Sequence, residues 1–214
     1  MDKLRNKLIF HDILCNQTTY GLIWNGTYKN KKCVVKMVKL ELPWGFTTKV
    51  LANDDKPFYH SEFTNKKSMT MESFLHEAKS LKHLSYLGLS PEFYKYVICD
   101  NFPIQYGFII MQKVDSTVKD IILYRDLTKT ELDLINKFRS EMHNKYRIIH
   151  GDFKPSNLGV FLDEDRHIKS LHVFDCQKIK YVDELSTSDA KRYIKKDGKH
   201  FDLHVKKNKK ERHN

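Results

Sequence analysis

The sequence lacks any apolar run approaching the roughly 20 residues that a helix needs to cross a bilayer. Its opening residues, Met1-Asp-Lys-Leu-Arg-Asn-Lys7, lead into no signal-peptide core. The expectation is a soluble protein of an intracellular compartment, cytoplasmic or nuclear, with no membrane partner. Cysteine is sparse: Cys15, Cys33, Cys99 and Cys176 are scattered and form no C-x-x-C pair, which argues against a zinc knuckle or a disulfide framework. Eleven histidines are present, but none falls in an H-E-x-x-H ligand pair. Internal repeats are absent, and so is low-complexity sequence outside one basic stretch.

What is present describes a folded chain. Hydrophobic residues make up 40% and charged residues 30% of the 214, a globular balance in a length that suits one sizeable core or two small lobes. The net charge is +11, and Lys206, Lys207, Lys209, Lys210 and Arg212 crowd the last nine residues. Such a run reads as a solvated, frayed tail. Its charge also suits screened attraction to a nucleic acid, an acidic protein or a nuclear-import receptor.

Patterning divides the chain in two. Leu8–Phe10, Tyr20–Trp24 and Cys33–Val38 read as strands of an antiparallel meander, with turns at Asn25-Gly26 and Lys29–Lys32. Residues 41–68, with Pro43, Gly45, Asn53-Asp54-Asp55 and Pro57, form an irregular insertion. From Met69 to about Leu84 the apolar residues recur at helical spacing: Met71, Phe74, Leu75, Ala78, Leu81, Leu84. Two more strands follow over 93–114, then helices at about 116–124 and 129–145, the latter with Leu134, Phe138 and Met142 in one stripe. Leu158–Phe161 and Ile168–Phe174 read as a hairpin around Asp163-Glu-Asp165. The order predicts a sheet-rich lobe joined near residue 114 to a mostly helical one.

The densest chemistry lies in His150-Gly-Asp-Phe-Lys-Pro-Ser-Asn157. Moving a phosphoryl group from ATP requires a carboxylate to orient the attacking hydroxyl, cations to neutralise charge and hard oxygen ligands for a metal. Asp152, Lys154 and Asn157 are of those types. The hairpin that follows would return Asp175 beside Asn157 as a second oxygen ligand.

This octapeptide resembles the catalytic loop of protein kinases, H-R-D-x-K-x-x-N, with Gly151 in place of Arg. The H-G-D form is also that of casein-kinase-like and vaccinia-related kinases, of other minimal kinases and of aminoglycoside phosphotransferases. Lys154 is closer to the Ser/Thr protein kinases than to the antibiotic kinases. Phe174-Asp175-Cys176-Gln177 stands where the family has D-F-G, matching at the Asp. Val34-Val35-Lys36 resembles the V-A-I-K strand whose Lys holds phosphates. Glu77 falls inside the apolar stripe of its helix, where a buried carboxylate needs a cation, and Lys36 is the natural one.

The resemblance implies an α+β, two-lobed protein-kinase-like fold. A small antiparallel-sheet lobe with one helix would occupy 1–114, a reduced and mostly helical lobe 115–204, and the basic tail 205–214. It implies a minimal Ser/Thr-type kinase using ATP and Mg²⁺ or Mn²⁺, with Asp152 and Lys154 catalytic and Asn157 and Asp175 on the metal. Tyr20, Gly21, Ile23, Lys36, Glu77 and Met111 would serve the nucleotide, Met111 lining the adenine pocket. The partner would be a protein substrate or a regulatory protein, with nucleic acid open through the tail. The sequence departs from the family in the glycine-rich loop, which becomes Asn16-Gln-Thr18-Thr-Tyr20-Gly21-Leu-Ile23, and beyond Gln177, where neither A-P-E nor the later helices find a match. These departures keep open a pseudokinase acting as a binding module, alongside a small-molecule kinase and an RNA-associated kinase.

Overall fold

The computed structural model describes residues 8–15, 18–41, 66–101 and 104–212. Most of the irregular insertion, residues 42–65, and Asn16 of the glycine-loop segment lie outside the described residues. The chain forms an α+β structure that separates into two compact units, Met1–Lys79 with Glu92–Lys113, and Ser80–Pro91 with Val114–Asn214.

In the first unit, period-two patterning produces β1 (Leu8–Cys15), β2 (Gly21–Tyr28), β3 (Lys31–Leu40), β4 (Phe93–Asn101) and β5 (Ile104–Gln112). They pair antiparallel in the order β1-β2-β3-β5-β4. The β2–β3 link is a two-residue turn, Lys29-Asn30, with φ of 48° and 63°. Positive φ at both positions is what a tight hairpin demands. The turn expected at Asn25-Gly26 does not form: both residues lie inside β2, opposite Val34 and Cys33. Gly26 serves close strand approach instead, since a Cβ there would stand 2.7 Å from the Ile9 carbonyl oxygen.

One face of this sheet buries Leu22, Trp24, Cys33, Val35, Met37, Tyr106 and Ile110, with Phe10, Tyr94 and Phe108 packed against them. Phe10 meets Trp24 edge-on at 5.8 Å, and Tyr28 stacks on Tyr94 at 5.7 Å. The other face receives helix α1 (Met71–Tyr86), which buries Phe74 and Ala78.

The second unit takes in the last turns of α1 and the segment to Pro91, a stretch expected in the first lobe. The reason is local bonding: the Val173 N–H donates to the Leu89 carbonyl at 2.8 Å, and His83 lies edge-on to Tyr181. A short β6 (Ser116–Thr117) pairs with β8 (Leu158–Leu162), which pairs with β9 (Ile168–Val173), while β7 (Ile148–Ile149) pairs with β10 (Lys180–Tyr181). Helices α2 (Val118–Tyr124) and α3 (Lys129–Asn144) each start with a capping box, Thr117 with Asp120 and Thr128 with Glu131. Each N-cap is worth about 1 kcal/mol.

The last element is α4 (Thr187–Arg212), 26 residues long. Its buried residues Ala190, Asp197, Phe201 and Asn208 recur at helical spacing, and Phe201 packs on the fully buried Phe153 at 5.9 Å. The basic stretch expected as a frayed tail is thus helical through Arg212. Lys209 and Arg212 reach Asp126 at 2.7 and 3.2 Å, and the Arg212 guanidinium donates to the Ile122 carbonyl. Among the described residues no helix is long and apolar enough to cross a membrane.

Candidate active site

In the first unit, strand register gathers the expected nucleotide-binding residues. Ile23 lies opposite Lys36 across β2–β3, Gly21 opposite Val38, and Met111 opposite Val34 across β3–β5. Directly paired residues point the same way, and Val34, Lys36 and Val38 alternate with the core-facing Cys33, Val35 and Met37. Gly21, Ile23, Lys36 and Met111 therefore share the sheet face opposite the aromatic cluster. Onto that face α1 delivers Glu77, whose Oε1 accepts from Lys36 Nζ at 2.6 Å, with side-chain exposures of 1% and 11%. A carboxylate so buried is stable only when paired, and stranding it costs about 3–5 kcal/mol.

Gly21 has a structural duty of its own, because a Cβ there would collide with the Met37 carbonyl oxygen. The Thr18 hydroxyl accepts from the Gly21 N–H at 3.0 Å and also bonds the Gly21 carbonyl. Tyr20 sits half-buried in the bend before β2, and its carbonyl accepts from the Lys39 N–H at 3.3 Å.

In the second unit the site is built on the loop that leaves β7. His150 is fully buried. Its Nε2 lies 3.0 Å from the Phe174 carbonyl and its Nδ1 accepts from the Asp152 N–H at 3.2 Å. A carbonyl can only accept, so the proton sits on Nε2 and the ring is neutral. Burial pushes the imidazole below its usual range, outweighing the upward pull of Asp197, the Phe174 carbonyl, Asp175 and Asp152. Gly151 has φ of +78°, and a Cβ there would lie 2.5 Å from the Lys178 carbonyl oxygen. Any side chain at this position would meet both obstacles, which favours glycine here.

Asp152 is 8% exposed and is ringed by donors. Lys154 Nζ donates to its Oδ2 at 3.0 Å and Asn157 Nδ2 at 3.3 Å, while Lys178 Nζ stands 3.7 Å from the same oxygen. His200 Nδ1 lies 3.2 Å from Oδ1, close enough for an ion pair but without the geometry of a hydrogen bond. Burial pulls this carboxyl upward, but the Lys154 hydrogen bond and the charges of Lys154, Lys178 and His200 outweigh it, so Asp152 titrates below the ordinary carboxylate range. It is an anion at neutral pH.

The β8–β9 hairpin returns the chain to this loop. Leu158 pairs with Val173, and the Phe174 N–H donates to the Asn157 carbonyl at 3.2 Å. That bond sets Asp175, the next residue, beside Asn157. Asp175 has φ 59° and ψ 55°, a left-handed conformation that Asp and Asn tolerate better than most residues. The Asn157 amide nitrogen is engaged by both the carbonyl and the carboxylate of Asp152, so its Oδ1 is the oxygen it can offer.

One amide oxygen and one carboxylate fit Mg²⁺, which takes one or two protein oxygens and completes its shell with phosphate and water. Among the described residues no group of three or more His, Cys, Asp or Glu side chains is arranged to hold a metal.

Three residues of this site escaped the sequence reading: Lys178, and two on α4. Asp197, 1% exposed, accepts from the His150 N–H at 3.1 Å and from the Gly151 N–H at 3.0 Å, and stands 3.3 Å from His143 Nε2. It clamps the turn that presents Asp152. His200, one turn later, touches Asp152 itself. Asp197 lies in Lys195-Lys-Asp-Gly-Lys-His200, which reads as a solvated charge run. The signal that finds it is the spacing of Ala190, Ile194, Asp197 and Phe201 on one helical stripe. No protein-family model matches the chain, and no curated protein matches it.

Proposed function

We propose that the chain is an ATP-dependent phosphotransferase, a small Ser/Thr-type protein kinase with a reduced two-lobed kinase-like fold. The observation that carries the reading is the convergence on Asp152: a buried, ionised carboxylate with Lys154 and Asn157 on the same oxygen. In this role Asp152 orients the acceptor hydroxyl and takes its proton. The hydroxyl oxygen forms a bond to the γ-phosphorus, the bond from that phosphorus to the bridging β-phosphate oxygen breaks, and ADP leaves. Lys154 neutralises charge on the moving phosphoryl group. Asn157 and Asp175 would hold Mg²⁺ or Mn²⁺, which supplies positive charge to the phosphates when bound. Asp197 and His150 keep the loop in one conformation, which limits reorganisation during the step. Lys36, oriented by Glu77, is assigned to the nucleotide phosphates, with Gly21, Tyr20, Ile23 and Met111 at the nucleotide.

A second reading has one specific observation in its favour. The Gly21 amide, which the family's loop would turn toward phosphate, is occupied by the Thr18 hydroxyl. That arrangement suits a pseudokinase, a binding or regulatory module with weak or absent transfer. The readings separate in one assay: transfer of labelled phosphate from ATP to a generic protein acceptor with Mg²⁺ or Mn²⁺. Transfer by the wild type that disappears in a folded Asp152→Asn variant is the result expected of the kinase. A folded wild type that transfers nothing overturns it in favour of the binding module.

A further inference from the structure

The middle and the C-terminal end of α4 are both rich in basic residues. Toward the C-terminus, Lys209 and Arg212 are paired with Asp126, and Lys207 with Glu211 at 3.8 Å. In the middle of the helix, Lys195, Lys196 and Lys199 are exposed, and among the described residues none has a carboxylate partner. With Arg192 they stand three and four residues apart, a spacing at which like charges destabilise a helix. Lys206 and Lys210 of the tail are likewise exposed without a carboxylate partner among the described residues, and Arg192 pairs with Asp189 at 2.8 Å, so what sets the middle of the helix apart is its position beside Asp152.

Arg192, Lys195, Lys196, Lys199, His200 and Leu203 line one open hollow of ≈ 460 Å³. Their spacing places them on a single helix face, which meets Asp152 at His200. From His200 back to Arg192 is about 12 Å along the helix axis, the reach of about four extended residues. Beyond His200 the face ends in Leu203, which is 64% exposed.

We propose that this face binds an acidic peptide segment, carboxylate-rich or already phosphorylated, whose acidic residues lie within about four positions of the hydroxyl presented to Asp152. The inference rests on the phosphotransferase reading for what happens at Asp152, and adds the substrate class. Charge complementarity favours an anionic chain. The lining holds no Phe, Tyr or Trp on which bases would stack, which favours a peptide over a single-stranded nucleic acid. Leu203 offers an apolar contact to the residue on the other flank.

The test is binding without ATP, read by fluorescence anisotropy on the full chain at about 50 mM salt, where surface charge is weakly screened. The probes are a labelled peptide with one Ser beside four Asp, its counterpart with Asn for each Asp, and a short oligo-uridine. The acidic peptide is expected to bind about tenfold tighter than the Asn peptide, the sum of about three screened surface pairs. The variant Lys195→Gln/Lys196→Gln/Lys199→Gln, checked for helicity, should lose that preference. A charge-matched variant, Lys206→Gln/Lys207→Gln/Lys210→Gln, should keep it.

A preference that survives the first variant, or falls equally in both, overturns the proposal. Oligo-uridine binding more tightly than the acidic peptide, and lost in the first variant, overturns it in favour of a nucleic-acid surface. An acidic preference without any phosphate transfer supports the docking face and sinks the phosphotransferase reading. Equal transfer to both peptides, unchanged in the first variant, does the reverse.

Discussion

Glu131 and Asp152 are both buried carboxylates of the second unit, and they are satisfied in opposite ways. Glu131 is saturated by fixed groups: Arg125 donates to both its oxygens at 2.6 and 2.7 Å, the Thr128 N–H at 2.9 Å and the Ile168 N–H at 3.2 Å. Its carboxyl is pulled down to about 2, mainly by the Arg125 hydrogen bonds against the upward push of burial. Asp152 is held by the ends of two flexible lysines, one amide and a histidine, with the Lys154 and Lys178 side chains 27% and 64% exposed. Arg125 grips Glu131 through a two-point fork, whereas each lysine meets Asp152 at a single point. A strongly perturbed carboxyl is therefore a poor guide to chemistry by itself. The geometry of its partners, a two-point fork against single-point contacts, is the better one.

The sharpest way to break this comparison is to neutralise each carboxylate in turn. Asp152→Asn should lower phosphate transfer about a thousandfold, the scale of losing a positioned base together with its orientation of the hydroxyl. Urea unfolding should move little. Glu131→Gln should do the opposite, losing about 3 kcal/mol of stability through its stranded Arg125 and weakened N-cap, with activity per folded molecule unchanged. If Glu131→Gln leaves the unfolding midpoint in place, the two sites do not differ as described.

Acid sharpens the same contrast. An ordinary Glu titrates near 4.5 and Glu131 at about 2, so its stabilisation is fully present above pH ~4.5 and declines as the pH falls toward 2. The gap in unfolding midpoint between wild type and Glu131→Gln should therefore close between about pH 4.5 and 2. A gap that stays constant over that range would remove Glu131 as its source. The smallest expected effect concerns Asp175. Asp175→Asn and Asp175→Ala should both lose metal-dependent transfer, but Ala fits the left-handed backbone less well and should be less stable by about 1 kcal/mol. Equal unfolding midpoints for the two would show that the backbone conformation carries no such preference.

Much of the fold was legible because it is periodic. Alternation in Cys33–Val38 and three-four spacing from Met71 to Leu84 locate β3 and α1, and the phase of Glu77 in that stripe anticipates its bond to Lys36. Asn25-Gly26 misled because the same dipeptide serves a turn or a tight strand crossing, and only the neighbouring strand decides which. The basic run misled because charge density says nothing about pairing. Asp126, 83 residues before Lys209, is what holds that end of α4.

The sequence by itself determined the order and spacing of Asp152, Lys154, Asn157 and Asp175, and the buried phase of Glu77, on which the proposed chemistry rests. These are short-range properties, written in neighbours along one strand, helix or loop. Tertiary structure alone decided that Asp197 clamps the loop, that His200 touches Asp152, and that the middle of α4 keeps its lysines unpaired. Each of those depends on which segments meet after more than forty residues of intervening chain, and packing of Phe201 on Phe153 is the contact that brings them together.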